Sequence, residues 1–428
     1  MPVILWTDAL VFMLVAVICV AVMHGFRSAA TRKKWQQIMQ HPTRVVAMLV
    51  LLAFIIIGIL DCIHYHTSSS GSLRSILDWI LLPISAELES SYSKPFATHE
   101  FVATMVKATD DSISWVNAPL RYVSPVAIWP LIAMGLLQTL LICSSVYYIF
   151  LRRRGLNNLR TVWSTIAVLL LLILIARQLI PHYHIFGTDK IGIDVFYASL
   201  KSIRTGLIIG TLTTMISLPF AVLFGAMAGY FRGWIDDVVQ YTYIMLSSIP
   251  GVLLIAAAML SLDVVISRHS DTFMFSEQRS DVRLLLLCSI LGLTSWTSLC
   301  RILRGETLKI RDQEFVLAAK VMGLRGIRVI IKHILPNLTH IIIISLVLDF
   351  SGLVLAEAVL SYVGVGVDPT TFSWGNMING ARMEMGRDPI IWWSLAGAFA
   401  FMFALVLSAN VFADAVQEAL DARAVSYD

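Results

Sequence analysis

The sequence is poor in charged side chains, and this scarcity restricts the class of protein it can encode. Asp, Glu, Lys and Arg make up only 14% of the 428 residues, whereas 57% of the residues are hydrophobic. The mean hydropathy is +0.78. A soluble globular chain carries about 25% charged residues. The composition therefore excludes an ordinary soluble protein and predicts a polytopic membrane protein.

Cysteine is also scarce, and the motifs of ATP hydrolysis are missing. The five cysteines are too few and too scattered for a disulfide framework, and we expect them to act as small apolar residues. The sequence contains no Gly-Lys-Ser or Gly-Lys-Thr, so it has no P-loop to hold the phosphates of ATP. No set of residues on an expected exposed loop suits nucleophilic or acid–base catalysis. We therefore predict that the chain is not an enzyme and binds no cofactor itself.

Long apolar runs predict an all-α fold, since each crossing of a bilayer needs roughly 20 helical residues. Nine runs are long enough, near residues 8–26, 45–62, 124–150, 161–180, 203–230, 238–262, 284–300, 338–360 and 391–413. Of the 32 Lys and Arg residues, 19 lie in one alternate set of connecting segments and 11 in the other. The positive-inside rule then predicts an external N-terminus and a cytoplasmic C-terminus. The basic residues form no stripe of the kind that binds nucleic acid.

The spacing of the runs and breaks predicts two domains. A basic cluster followed by Gly-Leu-Asn-Asn at 151–158 marks a boundary. Residues 1–150 would form an N-terminal extension with three transmembrane helices and an external segment, 62–123, that we expect to be a short amphipathic covering piece. Residues 151–428 would form a six-helix domain with a charged cytoplasmic loop at 301–337.

The charged loop contains the most informative stretch, Glu314–Asn337. Adjacent Ala318 and Ala319 leave a strip poor in side chains, and Gly323 is expected to end the helix. Phe315, Ala319 and Met322 are spaced to share one helix face. The Leu335-Pro336 pair is expected to break the second half before the next membrane span. By composition alone, a basic amphipathic helix lying on the membrane surface is an open alternative.

This stretch resembles the EAA loop of permease subunits of binding-protein-dependent ABC importers. That loop has Glu-Ala-Ala, a Gly four residues after the second Ala, and Ile-x-Leu-Pro ten residues beyond the Gly. The Ala pair, the Gly and the Leu-Pro pair match in register, whereas Leu317 stands at the Glu position and His333 at the Ile position. In that family the loop docks on the ATPase. The resemblance implies that the coupling residues are Phe315, Ala318, Ala319, Met322, Gly323, Leu335 and Pro336.

A second motif resembles the GTD-x-x-GRDV signature of the C-type subunit of dipeptide, oligopeptide and nickel importers. The residues that match are Gly187, Thr188, Asp189, Gly192, Asp194 and Val195. Ile193 replaces the Arg, so an ion pair from that Arg at the external rim is not expected. Taken alone, the two carboxylates indicate a solvated loop. His182 and His184, just before the motif, lack a clear third ligand and do not predict a metal site.

Three further segments carry the same resemblance. Leu360–Met377 is similar to an external signature with a Gly-x-Gly turn and Ser-Trp-Gly, where Trp374 and Gly375 match and Phe372 takes the place of a Pro. Gly229–Asp237 and Ala413–Arg423 also resemble that subunit. The resemblance covers residues 187–423 and does not reach residues 1–150.

Two features of the apolar runs suggest a translocation pathway. Asp349 and Glu357 lie in the eighth run, about 12 Å apart along a helix, and are expected to share a face. A carboxylate in the membrane costs roughly 3 kcal/mol on insertion scales, which favours a position beside a pathway. Pairing with another subunit, or snorkelling, is the alternative. Ser247–Gly251 interrupts the sixth run and could line a pathway or form an ordinary proline kink.

The resemblance implies the partners and the location. A permease of this family sits in the bacterial inner membrane with a second homologous permease, two ABC ATPase subunits that bind ATP and Mg, and a periplasmic or lipid-anchored substrate-binding protein. Dipeptides, oligopeptides, antimicrobial peptides and nickel complexes all stay open as solutes. Two rival functions also stay open. One is an ion-coupled secondary transporter that uses Asp349 and Glu357, although no internal repeat is evident. The other is a membrane scaffold or sensor.

Overall fold

The computed structural model describes residues 2–3, 5–25, 41–66, 73–85, 88–107, 113–124, 126–146, 160–268 and 276–420. The described chain is helical, and eight of its helices are long and apolar enough to cross a membrane. A shorter apolar stretch, Trp6–Ala16, lies in the first helix. The predicted helical membrane fold is therefore confirmed. The boundary predicted at 151–158 and most of the basic segment 27–44 lie outside the described residues.

The helices have the following bounds in chain order. They are α1 (Trp6–Gly25), α2 (Pro42–Asp61), α3 (Ile76–Ile80), α4 (Leu82–Ser85), α5 (Ile128–Val146), α6 (Arg160–Leu179), α7 (Val195–Phe231), α8 (Trp234–Ser248), α9 (Gly251–Arg268), α10 (Ser276–Arg311), α11 (Glu314–Val321), α12 (Gly326–Val329), α13 (Leu335–Val363), α14 (Trp374–Glu384) and α15 (Trp393–Leu420). A π-helical turn, Ile330–Ile334, joins α12 to α13.

The sixth span differs from its predicted bounds. The apolar run at 238–262 is divided between α8 and α9, and the helix long enough to cross the membrane is α9. Pro250 has no N–H to donate and disfavours helical geometry at the residue before it. Accordingly, Ile249 is extended, with φ −89° and ψ 129°. The interruption expected at Ser247–Gly251 is confirmed, and it lies before the span rather than within it.

The segment 62–123 contains more regular structure than expected. Strand β2 (His64–His66) pairs antiparallel with β1 (Pro2–Val3) and with β3 (Leu73–Ser75). Strands β4 (Thr104–Lys107) and β5 (Ile113–Val116) form a separate antiparallel pair. The sequence did not predict these strands, because strands this short leave no periodic pattern in it.

The chain divides into two compact units that are interleaved in sequence. Unit 1 comprises Met1–Ile4, Met39–Thr205 and Phe372–Ser408. Helix α6 packs against α5 and α2 within this unit. A small core of Tyr92, Val195, Ile391 and Trp393 joins segments of unit 1 that are distant in the sequence.

Unit 2 comprises Leu5–Ile38, Gly206–Thr371 and Ala409–Asp428. Helix α10 is its central element and contacts α1, α8, α9, α11 and α13. Two apolar cores lie along α10. One surrounds Leu287 and Leu291, and the other surrounds Cys300 and Leu303 and also includes residues of α11. The second core supports the loop that carries the Ala pair.

Candidate coupling helix and external signature loop

Helix α11 is short and ends where the sequence predicts. Gln313 precedes it in an extended conformation, and Met322 caps its C-terminus by donating its backbone N–H to Ala318 O. Gly323 follows with φ +79°, a conformation that side chains with a Cβ rarely adopt. No atom lies within 4 Å of the position that a Cβ on Gly323 would occupy. Backbone conformation, rather than close packing, therefore requires glycine at this position.

One face of α11 is buried in unit 2. Val316 and Ala319 are both fully buried and belong to the apolar core around Leu303. Ala319 therefore faces the core, whereas Phe315 and Met322, which are spaced to share its helix face, are exposed. The short Ala319 side chain lets α11 lie close to the core beneath it.

The opposite face of α11 carries an apolar surface. We define the α11 apolar patch as the exposed residues Phe315, Leu317, Ala318, Val321 and Met322. Val321 is 89% exposed and Met322 is 74% exposed. Sequence reasoning missed Leu317 and Val321. Their spacing of four residues, on the face opposite Val316 and Ala319, would have identified them had the buried face been assigned correctly.

Helix α11 rests on neighbouring elements of unit 2. Lys320 Nζ lies 5.0 Å from the ring centroid of Tyr230, at the end of α7. Burial, and then the charge of Arg311, lower the pKa of Lys320. A Cβ on Gly326, just beyond α11, would lie 2.9 Å from Tyr230 Cε1. The end of α7 is therefore packed closely against the C-terminal end of α11 and the residues that follow it.

An ion pair fixes α8 to α10 below this site. Arg304 Nε and Nη2 donate to the two carboxylate oxygens of Asp236 at 2.5 and 2.8 Å. The hydrogen bonds from Arg304 hold the pKa of Asp236 below its ordinary value. Such a bidentate pair fixes the orientation of the two side chains as well as their distance. The first turn of α8 is therefore held against α10.

The second half of the loop does not break at Leu335-Pro336. The chain passes through α12 and the π-helical turn into α13 without leaving helical geometry, and Gly326–Val363 counts as one apolar helix. Pro336 lies in the first turn of α13, where its missing N–H costs little. The sequence predicted an irregularity at the proline. The irregularity lies instead in the π-helical turn that precedes it.

The external signature residues form a tight, mostly buried loop in unit 1. Gly187 and Gly192 have φ of +70° and +77°. A Cβ on Gly192 would lie 1.9 Å from Glu89 O, which only glycine avoids. Asp189 Oδ1 accepts hydrogen bonds from the N–H groups of Ile191 and Ile193. Burial raises the pKa of Asp189 despite these backbone hydrogen bonds.

Residues 88–101 cover this loop. Thr188 accepts a hydrogen bond from Ser93 N–H at 2.7 Å and donates one to Ser91 O at 2.8 Å. Glu89 N–H donates to Gly192 O. The signature loop is therefore enclosed by the external segment rather than open to solvent, as its two carboxylates alone had indicated.

His184 lies at the centre of this contact. Its Nδ1 is 2.7 Å from Asp194 Oδ2, and its Nε2 is 3.5 Å from Glu89 Oε1. Burial alone would lower the pKa of His184, but the hydrogen bond with Asp194 and the charge of Glu89 raise it above its ordinary value. Asp194 Oδ1 also accepts the N–H groups of Phe196 and Tyr197, so it begins α7.

The Ser-Trp-Gly residues are packed into unit 1 as well. Trp374 is 1% exposed, and its indole N–H donates to Ser199 O at 3.1 Å. Gly375 is buried beside it. Ser373 Oγ accepts from Asn376 N–H and begins α14. Trp393, at the start of α15, donates to Thr188 O at 2.9 Å. The two signatures thus stabilise one assembly within unit 1.

The two membrane carboxylates have different surroundings. Glu357 is 2% exposed and accepts a hydrogen bond from Ser361 Oγ at 2.7 Å. Asp349 is half-buried, and it has no hydrogen bond or ion pair with any described residue. Glu357 is therefore enclosed within the described residues whereas Asp349 is partly exposed, and a position of the two beside a pathway stays a prediction. Within the described residues, no three His, Cys, Asp or Glu side chains are grouped as metal ligands are.

Comparison with known proteins assigns the chain to a family. Residues 221–426 match the model of the binding-protein-dependent transport system inner membrane component. The dipeptide transport system permease protein DppC of Bacillus subtilis is 31% identical over 243 residues, which cover 56% of this chain and 69% of the relative. The oligopeptide transport system permease protein OppC of Mycobacterium tuberculosis is 30% identical over 238 residues, which cover 56% and 75%. OppC of Bacillus subtilis is 28% identical over 240 residues.

The matched region includes α11, the whole of α13 and the Ser-Trp-Gly signature. A component of this family is a transport subunit rather than an enzyme, and it spans the inner membrane several times. The chain belongs to the family of inner membrane permease components of binding-protein-dependent ABC transporters, as a C-type subunit related to DppC and OppC.

Proposed function

We propose that this chain forms half of the translocation pathway for peptides or similar solutes in an ATP-driven importer. Its relatives DppC and OppC are named as permeases for dipeptides and oligopeptides. The observation that carries the coupling role is the α11 apolar patch, an exposed apolar surface on a helix whose other face is fully buried. A helix built in this way suits docking into a groove on another protein.

The proposal requires partners that supply energy and specificity. A second homologous permease would complete the pathway, and two ABC ATPase subunits would bind ATP and Mg and hold α11. A periplasmic or lipid-anchored binding protein would deliver the solute to the external side. The N-terminus would lie outside and the C-terminus in the cytoplasm, with residues 1–150 as an extension beside the permease domain 151–428. The distribution of Lys and Arg supports this orientation.

The packing around α11 supports a route for the coupling motion. A push on the α11 apolar patch would reach the end of α7 through Lys320 and Tyr230. It would also reach α10 and α8 through the shared core and the Arg304–Asp236 pair. Because packed interiors move as bodies rather than deforming continuously, closure of the ATPases would shift these helices together. That shift would open the pathway alternately to the two sides.

The α11 apolar patch is tested with Met322→Glu. A charge on this exposed apolar surface should cost at least about 2 kcal/mol of docking energy, as truncation of a central interface residue does. We expect the complex to lose its ATPase subunits on purification, and uptake in proteoliposomes to fall by at least about 10-fold. Met383→Glu is the matched control, because Met383 is 69% exposed on α14 and lies outside the patch. It should retain the ATPase.

Two outcomes would contradict the coupling role. ATPase retained at the wild-type level by Met322→Glu would show that α11 is not the docking element. Solute uptake by this chain alone, driven by an ion gradient, would favour the secondary transporter instead. A scaffold or sensor would show neither uptake nor stimulated ATP hydrolysis in the complete system.

A further inference from the structure

Asp349 differs from the other carboxylates that are at least partly buried in the described membrane spans. It forms no hydrogen bond and no ion pair with any described residue. The others have a partner: Asp61 accepts from Ser75, Asp263 pairs with Arg283, Asp281 accepts from Thr7, Glu306 pairs with Lys309, and Glu357 accepts from Ser361. Each of these acids therefore has a partner within the described residues, whereas the Asp349 side chain has none among them.

The position of Asp349 rules out an escape to the membrane surface. It is the fifteenth of the 29 residues of α13, with 14 residues on either side. At 1.5 Å per residue, about 21 Å of helix separates it from each end. An Asp side chain is too short to snorkel over that distance. A carboxylate at this depth faces a water-filled pathway or another polar group rather than lipid.

The surface around Asp349 has room for a ligand. Ser345, Gly352 and Ala356 lie four residues before it, three after it and seven after it, on the same side of α13. Apart from the neighbouring backbone of α13 itself, no atom of the described residues lies within 4 Å of the position that a Cβ on Gly352 would occupy. Asp349 is itself only half-buried. An ionised carboxylate only accepts hydrogen bonds. Beside open space, it can bind a cationic solute reversibly.

We propose that Asp349 binds the positively charged ammonium group of the solute as it passes through the permease. This inference rests on the proposed function and adds to it one residue that distinguishes a solute with a free amine, such as a peptide with an unblocked N-terminus, from a solute without one. Glu357 takes no part, because it is buried and bonded to Ser361. A hydrogen bond between ammonium and carboxylate is roughly twice as strong as one between neutral groups, because both partners are charged.

The test uses the complete transporter in proteoliposomes with Asp349→Asn, a change that removes the charge and preserves the shape. Trialanine and N-acetyl-trialanine are each supplied at the concentration that loads the binding protein to the same extent. We expect Asp349→Asn to lower trialanine uptake by at least about 10-fold and to leave N-acetyl-trialanine uptake at its wild-type rate. Asp349→Glu should recover part of the trialanine uptake. Asp414→Asn, which removes an exposed carboxylate from α15, should change neither rate.

Each other outcome overturns the inference. An equal loss for both peptides would give Asp349 a structural role. Loss of the second permease on purification would show that Asp349 pairs with a cation of that subunit. Unchanged trialanine uptake would show that it binds no solute amine. If wild-type proteoliposomes transport neither peptide and hydrolyse no ATP in response to the loaded binding protein, the proposed function fails as well.

Discussion

At the scale of single residues, His184 controls the contact between the signature loop and the segment that covers it. The imidazole lies between Asp194 and Glu89, and all three side chains are nearly fully buried. A protonated His184 offsets the charge of both carboxylates, whereas a neutral one leaves two negative groups in a buried site. The protonation state of one ring therefore sets how firmly residues 88–101 are held.

The sign of the pH dependence follows from the raised pKa of His184. Protonation stabilises the folded contact fully below the unfolded pKa of about 6.5, and this stabilisation is lost as the pH rises through the folded pKa. We expect amide exchange of residues 88–101 to quicken on raising the pH, after correction for the intrinsic rate. In His184→Gln the corrected exchange should be fast throughout and independent of pH. His182→Gln, whose ring contacts Ser124 at the surface, should behave as wild type. Wild-type pH dependence in His184→Gln would contradict the assignment.

The Ala pair and the two membrane acids show what residue patterns can determine. The motif spacing places Ala318 and Ala319 on a helix correctly, yet it cannot tell which alanine faces the core, because both are small and apolar. Hydropathy places Asp349 and Glu357 in one span correctly. Their different surroundings depend on Ser361 and on neighbouring helices, and these contacts are tertiary. Residue type and position were predictable, whereas orientation was not.

At the scale of elements, α8 and α10 illustrate how polar contacts complement apolar packing. The Arg304–Asp236 pair has side-chain exposures of only 22% and 12%. The Arg232–Asp312 pair in the same region has exposures of 51% and 61% and a longer separation of 3.4 Å. Water screens an exposed pair, so its contribution to stability is small. The first pair is expected to hold two elements together, and the second is not.

Arg304→Met tests this difference. The substitution leaves Asp236 charged, partly buried and without its bidentate partner, at a cost of about 2 kcal/mol to the free energy of unfolding. We expect a lower thermal midpoint in detergent, measured by fluorescence-detected gel filtration. Because the pKa of Asp236 is depressed, the stabilisation exists above the ordinary pKa of Asp and disappears only in acid. Arg232→Met should shift the midpoint little. Equal shifts for the two variants would refute the distinction.

At the scale of the whole molecule, features of contiguous sequence predicted the helical class and the family, whereas contacts between distant parts of the chain could not be predicted. Span number, helical class and family were accessible because hydropathy and motif spacing are properties of contiguous sequence. The sheet β1–β3 was not accessible, since its first pair joins Pro2 to Tyr65, which are far apart in the sequence. The division into units was also missed, because α1 belongs to unit 2 and α2 to unit 1. The domain boundary near residue 150 stays a prediction.

Within unit 1, one lysine joins the predicted extension to the predicted permease domain. Lys201 Nζ, on α7, lies 2.8 Å from Asp78 Oδ1 and 3.4 Å from Asp61 Oδ1. Asp78 also accepts the hydroxyl of Tyr197 at 2.7 Å. Burial alone would raise the pKa of Asp78, but Lys201 lowers it below the ordinary value. The extension and α7 therefore share a buried charge cluster.

Lys201→Met should destabilise the whole of unit 1. It removes the cation that two buried carboxylates share, which costs about 3 kcal/mol or more, whereas the apolar replacement conserves most of the side-chain volume. We expect a lower yield of folded protein, a lower thermal midpoint and faster proteolysis within residues 62–123. Lys309→Met is the control, because the Lys309 side chain is 71% exposed and pairs with Glu306 at the surface. If Lys201→Met matched that control in all three measurements, the extension would be attached through its apolar contacts alone, and the charge cluster would add nothing to the fold.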